Sequence, residues 1–141
     1  MITMCGIAGF IGKEKNMKKT LKKMTDRIKH RGPDAEGFFI RGNVALGQRR
    51  LSIIDIEGGL QPMFSKDGNY VVVFNGEIYN YQEIKKELKD YTWQTNSDTE
   101  VLLYGYQKWG SDLPKHLRGM FAFALYDIKE KTLFCARDHF G

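Results

Sequence analysis

The sequence predicts an α+β domain in which stacked sheets lie beneath helical layers. Three observations carry that prediction. Residues 119–126 (GMFAFALY) are apolar at odd and even positions alike, so a strand there must be covered on both faces. Met17, Leu21, Met24 and Ile28 are spaced four, three and four apart, a single stripe at the helical period. Asn80 with Glu83, and Ser97 with Glu100, set a capping-box spacing ahead of two further helical patterns. With 141 residues, 42% hydrophobic and 28% charged, the chain forms one domain able to bury a core.

Taken in order, residues 5–11 (CGIAGFI) read as a short buried strand ended by Gly12. Asn16 can cap the amphipathic helix that follows, and Gly32 with Pro33 breaks it. Residues 36–56 show three strand patterns, EGFFIR, NVALGQ and RLSIIDI, joined by turns at 41–43 and near Arg49. The β-branched and aromatic run at 70–74 stops at Asn75 and Gly76, as a strand feeding a turn does. Two helices follow, one built on Tyr81, Ile84 and Leu88, the other reaching about Trp109. Residues 119–126 then return through the polar turn 127–131 to a hairpin partner at 132–137.

The net charge of +5 is unevenly placed. Residues 13–31 hold nine basic and two acidic side chains, so the rest of the chain is slightly acidic. Lysines on the outer face of an amphipathic helix are a solvated surface; no aromatic residues interleave with them and no groove-reading motif is present, so no nucleic-acid partner is expected. The longest apolar stretch, 120–126, is far short of the roughly 18 residues a membrane helix needs. The apolar stretch precedes the basic one, the reverse of an export signal. Cys5 and Cys135 sit in no C-x-x-C pattern, and neither H-E-x-x-H nor a phosphate-cradling glycine loop occurs. A cytoplasmic domain with no membrane partner, no metal and no nucleotide cofactor in this segment is expected.

Cys5 gains chemistry if it is the first residue, through translation from Met4 or loss of residues 1–4. Its free α-amine, with an ordinary pKa of about 7.7 to 8.0, would then be partly neutral near physiological pH. A thiol of ordinary pKa about 8.5 can pass its proton to that base, so nucleophile and base share one residue. The competing interpretation is a small core residue in an apolar strand. His30, His116 and His139 form no triad pattern with Cys5; His30 and His139 read as structural, and Cys135, in an apolar strand, as inert.

Further motifs accompany Cys5: Met4-Cys5-Gly6-Ile7, His30-Arg31-Gly32-Pro33-Asp34, Arg50-Leu51-Ser52-Ile53-Ile54-Asp55, Gln61-Pro62-Met63, Asn75-Gly76-Glu77-Ile78-Tyr79-Asn80, Ser97-Asp98-Thr99-Glu100 and Ala136-Arg137-Asp138. In this order, and over almost the whole chain, they resemble the class II glutamine amidotransferases. The stretches RGPD, NGEIYN and GMFAFALYD are most similar to the glutaminase domains of glutamine-hydrolysing asparagine synthetases. The resemblance implies a four-layer αββα N-terminal-nucleophile hydrolase fold over residues 5–141, continuing past Gly141 in family members and so incomplete here. Residues 1–4 would be a leader or a misassigned start. It also implies L-glutamine as substrate and a separate synthetase domain that uses ATP and Mg; a homodimer is compatible with it.

Roles follow from that resemblance. Cys5 would attack the side-chain amide of glutamine to give a thioester and ammonia, with Asn75 and Gly76 donating to the oxyanion. Arg50 would clamp the substrate carboxylate, its planar fork suited to two parallel hydrogen bonds. Asp98 and Glu77 would receive the α-ammonium, and the backbone around Ile53 would complete the pocket. Residues 31–34 would shape the loop near the nucleophile. Local alternatives exist: Asn75-Gly76 as a hairpin turn, Asp98 as a helix-dipole partner, Glu77 as a turn residue. Gln48 stands where many relatives carry histidine. The rival functional interpretation is a non-catalytic glutamine-binding or structural module.

Overall fold

A computed structural model describes residues 5–51 and 59–141. The leading apolar stretch forms strand β1 (Gly6–Ile11), after which the Asn16 side-chain carbonyl accepts from Lys19 N at 3.0 Å and starts helix α1 (Met17–Arg27). β2 (Ala35–Arg41) and β3 (Val44–Arg50) pair as an antiparallel hairpin, and β1 joins the other edge of β3 to give the order β1-β3-β2.

The turn expected near Arg49 does not form. β3 runs on through Arg50, pairing Arg49 with both Gly6 and Glu36. The Arg49 side chain is buried, and donates to Thr25 O at 3.2 Å, Asp26 Oδ1 at 2.6 Å and Glu36 Oε2 at 2.8 Å. Two adjacent arginines read locally as a break; tertiary pairing with helix α1 and β2 keeps them in the sheet. Of the third strand pattern, residues 52–56 lie outside the described residues.

The second sheet holds β4 (Met63–Phe64), β5 (Tyr70–Ile78), β6 (Gly119–Asp127) and β7 (Thr132–Arg137) in the order β4-β5-β6-β7, all antiparallel. Between β5 and β6 come α2 (Tyr81–Glu87), α3 (Glu100–Trp109), a 3-10 turn (Gly110–Asp112) and the short α4 (Leu113–His116). Sequence periodicity anticipated α2 and α3 but not the last two.

The first capping-box spacing marks the start of α2 without a side-chain cap bond; in the second, Ser97 Oγ accepts from Thr99 N at 3.1 Å just ahead of α3, which begins at Glu100. The Asn80 amide spans to the approach of β6, donating to His116 O at 2.9 Å and accepting from Arg118 N at 2.9 Å. The buried Glu100 carboxylate accepts from Gln94 N and Thr95 N, each at 2.8 Å, and so organises the loop before α3. Asn80 and Glu100 thus bond to residues outside their helices, while Ser97 keeps a local bond.

Burial sorts the elements into four layers. Leu21 and Thr25 of α1 are buried against the first sheet. Phe39, Val44 and Leu46 of that sheet meet Val71, Val73 and Tyr126 of the second. On its other face the second sheet sets Val72, Phe74, Phe121, Phe123 and Leu125 against Ile84, Leu88, Val101, Leu102 and Leu113 of the helices. β6 thus contributes to both cores, as its continuous apolar pattern requires. The arrangement is the expected αββα.

Phe123 lies at the centre of the larger core, 2% exposed and in ring contact with Phe121 and Phe134. Phe123→Ala is expected to destabilise the domain by about 3–5 kcal/mol, read from the shift of the urea unfolding midpoint. Cys135 sits on the outer strand β7 and is exposed, not enclosed as its apolar neighbours in sequence suggested; the partial burial of its thiol pushes its pKa up. No helix among the described residues is long and apolar enough to cross a membrane.

Candidate active site

Asn75 and Gly76 lie inside β5, not in a turn, pairing with Ala122 and Phe121 of β6. The strand passes through Gly76 because only a glycine fits there: its φ is +141°, and a Cβ would stand 2.0 Å from Met120 O and 2.7 Å from the Phe121 Cα. Close approach of two strands is the reason for the residue, where the local Asn-Gly pattern suggested a hairpin tip.

At this point the two sheets frame a cavity of about 250 Å³, below the usual range of roughly 300–1,000 Å³ for small-molecule sites and so suited to a small solute. Cys5, Asn75, Gly76, Glu77 and Asp98 all line it, so five residues expected at the site, from three separate segments of the chain, meet at one hollow. Cys5 enters from the start of β1, half-buried, and its carbonyl accepts from Arg31 Nε at 3.2 Å. Arg31 of the RGPD segment therefore holds the Cys5 backbone.

Asp98 precedes α3, and its Oδ2 accepts from Ile78 N at 2.9 Å. Burial pushes its pKa above the ordinary carboxylate range, the neighbouring charge of Glu77 pushes it further, and the Ile78 N–H works in the opposite direction. The two carboxylates give the cavity a wall that favours an ammonium group. Arg50, half-buried at the end of β3, places its guanidinium beside the cavity-lining Gly59, where a Cβ on that glycine would be 3.0 Å from Nη2. Arg50 therefore stands next to the hollow without lining it. Ile53 lies outside the described residues.

Sequence reasoning missed Gln61, which lines the cavity and accepts from Phe74 N through Oε1 at 2.6 Å. The only signal was its place in the Gln61-Pro62-Met63 motif, to which no role was attached. His116 stacks on Trp109 at 3.8 Å between ring centroids, His30 and His139 are exposed, and none of the three lines the cavity. Gln48 is buried within β3 between Ile7 and Gly37, also away from the cavity lining. Asn75 carries a buried Oδ1 with no hydrogen-bond partner among the described residues. Together, a thiol, an Asn-Gly pair, two carboxylates and an adjacent guanidinium are suited to bind a zwitterionic amino acid and attack its carbonyl carbon.

A family model described as a glutamine amidotransferase domain matches residues 4–141. The chain is 46% identical over 145 residues to asparagine synthetase (glutamine-hydrolyzing) 1 of Bacillus subtilis, covering 98% of this chain and 23% of that protein. It is 39% identical over 142 residues to asparagine synthetase B (glutamine-hydrolyzing) of Escherichia coli, covering 98% and 26%. The chain thus spans about a quarter of the length of these relatives. Among solved structures, the glutamine phosphoribosylpyrophosphate amidotransferase of B. subtilis, complexed with ADP and GMP, superposes with a TM-score of 0.70 at 20% identity, covering 96% of this chain and 37% of the other. That likeness shows the N-terminal-nucleophile hydrolase fold. With sequence, layers and cavity in agreement, the chain belongs to the class II glutamine amidotransferase domains and is homologous to the glutaminase domain of the asparagine synthetases.

Proposed function

We propose that this domain hydrolyses glutamine to glutamate and ammonia, with Cys5 as nucleophile, and that the ammonia feeds a synthetase domain of a longer cytoplasmic protein. The observation that carries it is the convergence of Cys5, Asn75, Gly76, Glu77 and Asp98 on one small cavity. The α-amine of an unblocked Cys5 takes the thiol proton, and sulfur bonds to the side-chain carbonyl carbon of glutamine. The oxyanion that forms is held by the Asn75 side-chain amide and the Gly76 N–H. The protonated amine gives its proton to the departing nitrogen, which leaves as ammonia. Water, deprotonated by the same amine, then splits the thioester to glutamate and restores the thiol. Arg50 binds the substrate carboxylate, and Asp98 and Glu77 its ammonium.

Ammonia release from glutamine by a chain beginning at Cys5, and its loss in Cys5→Ala, tests the assignment. Glutamine binding without turnover would favour the non-catalytic module instead.

Asp98 supplies a separate check. Its pKa is raised in the folded state, so between the ordinary value of about 3.9 and the raised one the folded chain holds a proton that the unfolded chain lacks. Stability contributed by that proton is present at low pH and lost as pH rises through the window; at neutral pH the charged side chain costs stability. Asp98→Asn removes this cost and keeps an acceptor for Ile78 N. Its melting temperature is expected to equal or exceed that of the parent, while KM for glutamine rises about 30-fold or more because the ammonium loses a charged partner. Thermal melts and steady-state kinetics on the two proteins decide it.

A further inference from the structure

The edge of β5 that faces the cavity is capped by side chains at two of three consecutive outward-facing positions. β4 pairs with β5 only at Val71 and Val72, so beyond them this edge has no neighbouring strand among the described residues. The Phe74 N–H is taken by the Gln61 side-chain carbonyl at 2.6 Å, and the Ile78 N–H by the Asp98 carboxylate at 2.9 Å. Strand alternation turns the Gly76 N–H, midway between them, to the same edge. The other side of the ladder agrees: Phe121, opposite Gly76, gives its N–H to Asp138 Oδ2 at 2.7 Å and accepts from Asp138 N at 2.9 Å, both away from β5. Among the described residues no strand pairs with the Gly76 N–H, which faces the cavity between two donors that are already occupied.

We propose that Gln61 is a positioning residue for glutamine hydrolysis: by occupying the Phe74 N–H it holds the middle of β5 so that Gly76, two residues on, presents its N–H to the oxyanion. The inference rests on the glutaminase reading above. Gln61 is itself set from behind by Gly37 of β2, where a Cβ would stand 2.0 Å from Gln61 O and 2.9 Å from the Pro62 Cδ. The first sheet thus presses Gln61 onto the second, and the oxyanion donor is aimed by a contact that spans both sheets. An interaction of this kind acts on the tetrahedral state more than on bound substrate, because the oxyanion exists only there.

The test uses the chain from Cys5 onward, with Cys5 as its free amino terminus. Gln61→Met, close in size but without the acceptor, is expected to lower kcat on the order of 10- to 100-fold with KM little changed. The γ-aldehyde analogue of glutamine adds the Cys5 sulfur to give a tetrahedral adduct whose oxygen occupies the oxyanion's place. Its affinity is expected to fall by the same factor, while that of glutamate, which forms no such adduct, stays as it was. Gln61→Glu, which keeps an acceptor at the same reach, recovers most of kcat. If Gln61→Met does not fold, Gln61→Asn asks the same question with a side chain too short to reach Phe74 N. Unchanged kcat in the variants lacking the acceptor, equal losses with Gln61→Glu, or aldehyde and glutamate weakened alike would each overturn the proposal. The two readings fail separately: ammonia release that survives Cys5→Ala removes the reaction itself, whereas an inactive Cys5→Ala beside a fully active Gln61→Met rejects only the role of Gln61.

Discussion

A chain that begins at Cys5 is expected to turn over glutamine, and Cys5→Ala is expected to lose that activity on the order of 10⁴-fold or more, the scale of removing a nucleophile that acts in concert with its base. A chain that retains residues 1–4 is expected to be equally inactive, for a different reason. Its Cys5 nitrogen is an amide, which cannot accept the thiol proton, so the sulfur is present and the base is gone. Glutamine binding should survive in both inactive forms, because Arg50, Glu77 and Asp98 do not depend on the free amine. Cys5→Ser keeps the amine but offers a hydroxyl, a much poorer nucleophile near neutral pH, and should stay far below the parent. Intact mass of each preparation, a coupled ammonia assay and calorimetric titration with glutamine give the three readouts. Turnover by the blocked chain would show that another group takes the proton.

Gly76→Ala is expected to abolish measurable hydrolysis and to destabilise the domain by about 2 kcal/mol or more. The added methyl would meet the Met120 carbonyl oxygen at 2.0 Å and the Phe121 Cα at 2.7 Å, both backbone atoms of the paired strand β6, so no side-chain rotation relieves the clash. The φ of +141° is also a conformation that L side chains rarely adopt. Separation of the strands would carry the Gly76 N–H and Asn75 away from the oxyanion, and loss of one donor alone costs roughly 10²–10³ in kcat. Gly42→Ala is the matched control. It also has positive φ, +57°, but among the described residues no atom beyond its two chain neighbours lies within 4 Å of the added methyl. It should cost about 1 kcal/mol and leave turnover intact. A Gly76→Ala enzyme with normal kcat would remove the strand's close approach from the account of catalysis.

The parts of this protein that were legible from the chain are those decided by nearby residues. The stripe Met17, Leu21, Met24 and Ile28 specifies helix α1 with its lysine face outward, and Asn16 caps it as expected. The two-sided apolar run of β6 foretold a strand buried between two layers. Elements whose hydrogen-bond partners lie far along the chain were read less well. Asn80 and Glu100 have the spacing of local caps, yet bond to residues outside their helices. Arg49 looked like a break and is held in strand by Asp26 and Glu36. Asn75-Gly76 carries the strongest short-range signal for a hairpin, and nothing within several residues reveals that Phe121 will lie opposite.

The chemistry divides along the same line. The amino-acid order by itself determined the reactive groups and most of the helix and strand types, because side-chain identity and hydrophobic period are local properties. Tertiary structure decided which groups share the cavity: it left Arg50 beside Gly59 at the rim, and brought in Gln61 through a bond to Phe74. It also decided that the N–H groups of Phe74 and Ile78, on either side of Gly76 on that edge, are taken by side chains. The physical reason is that a backbone donor becomes available only when every potential partner around it is committed elsewhere, and those commitments are made by residues that meet only when both sheets have packed.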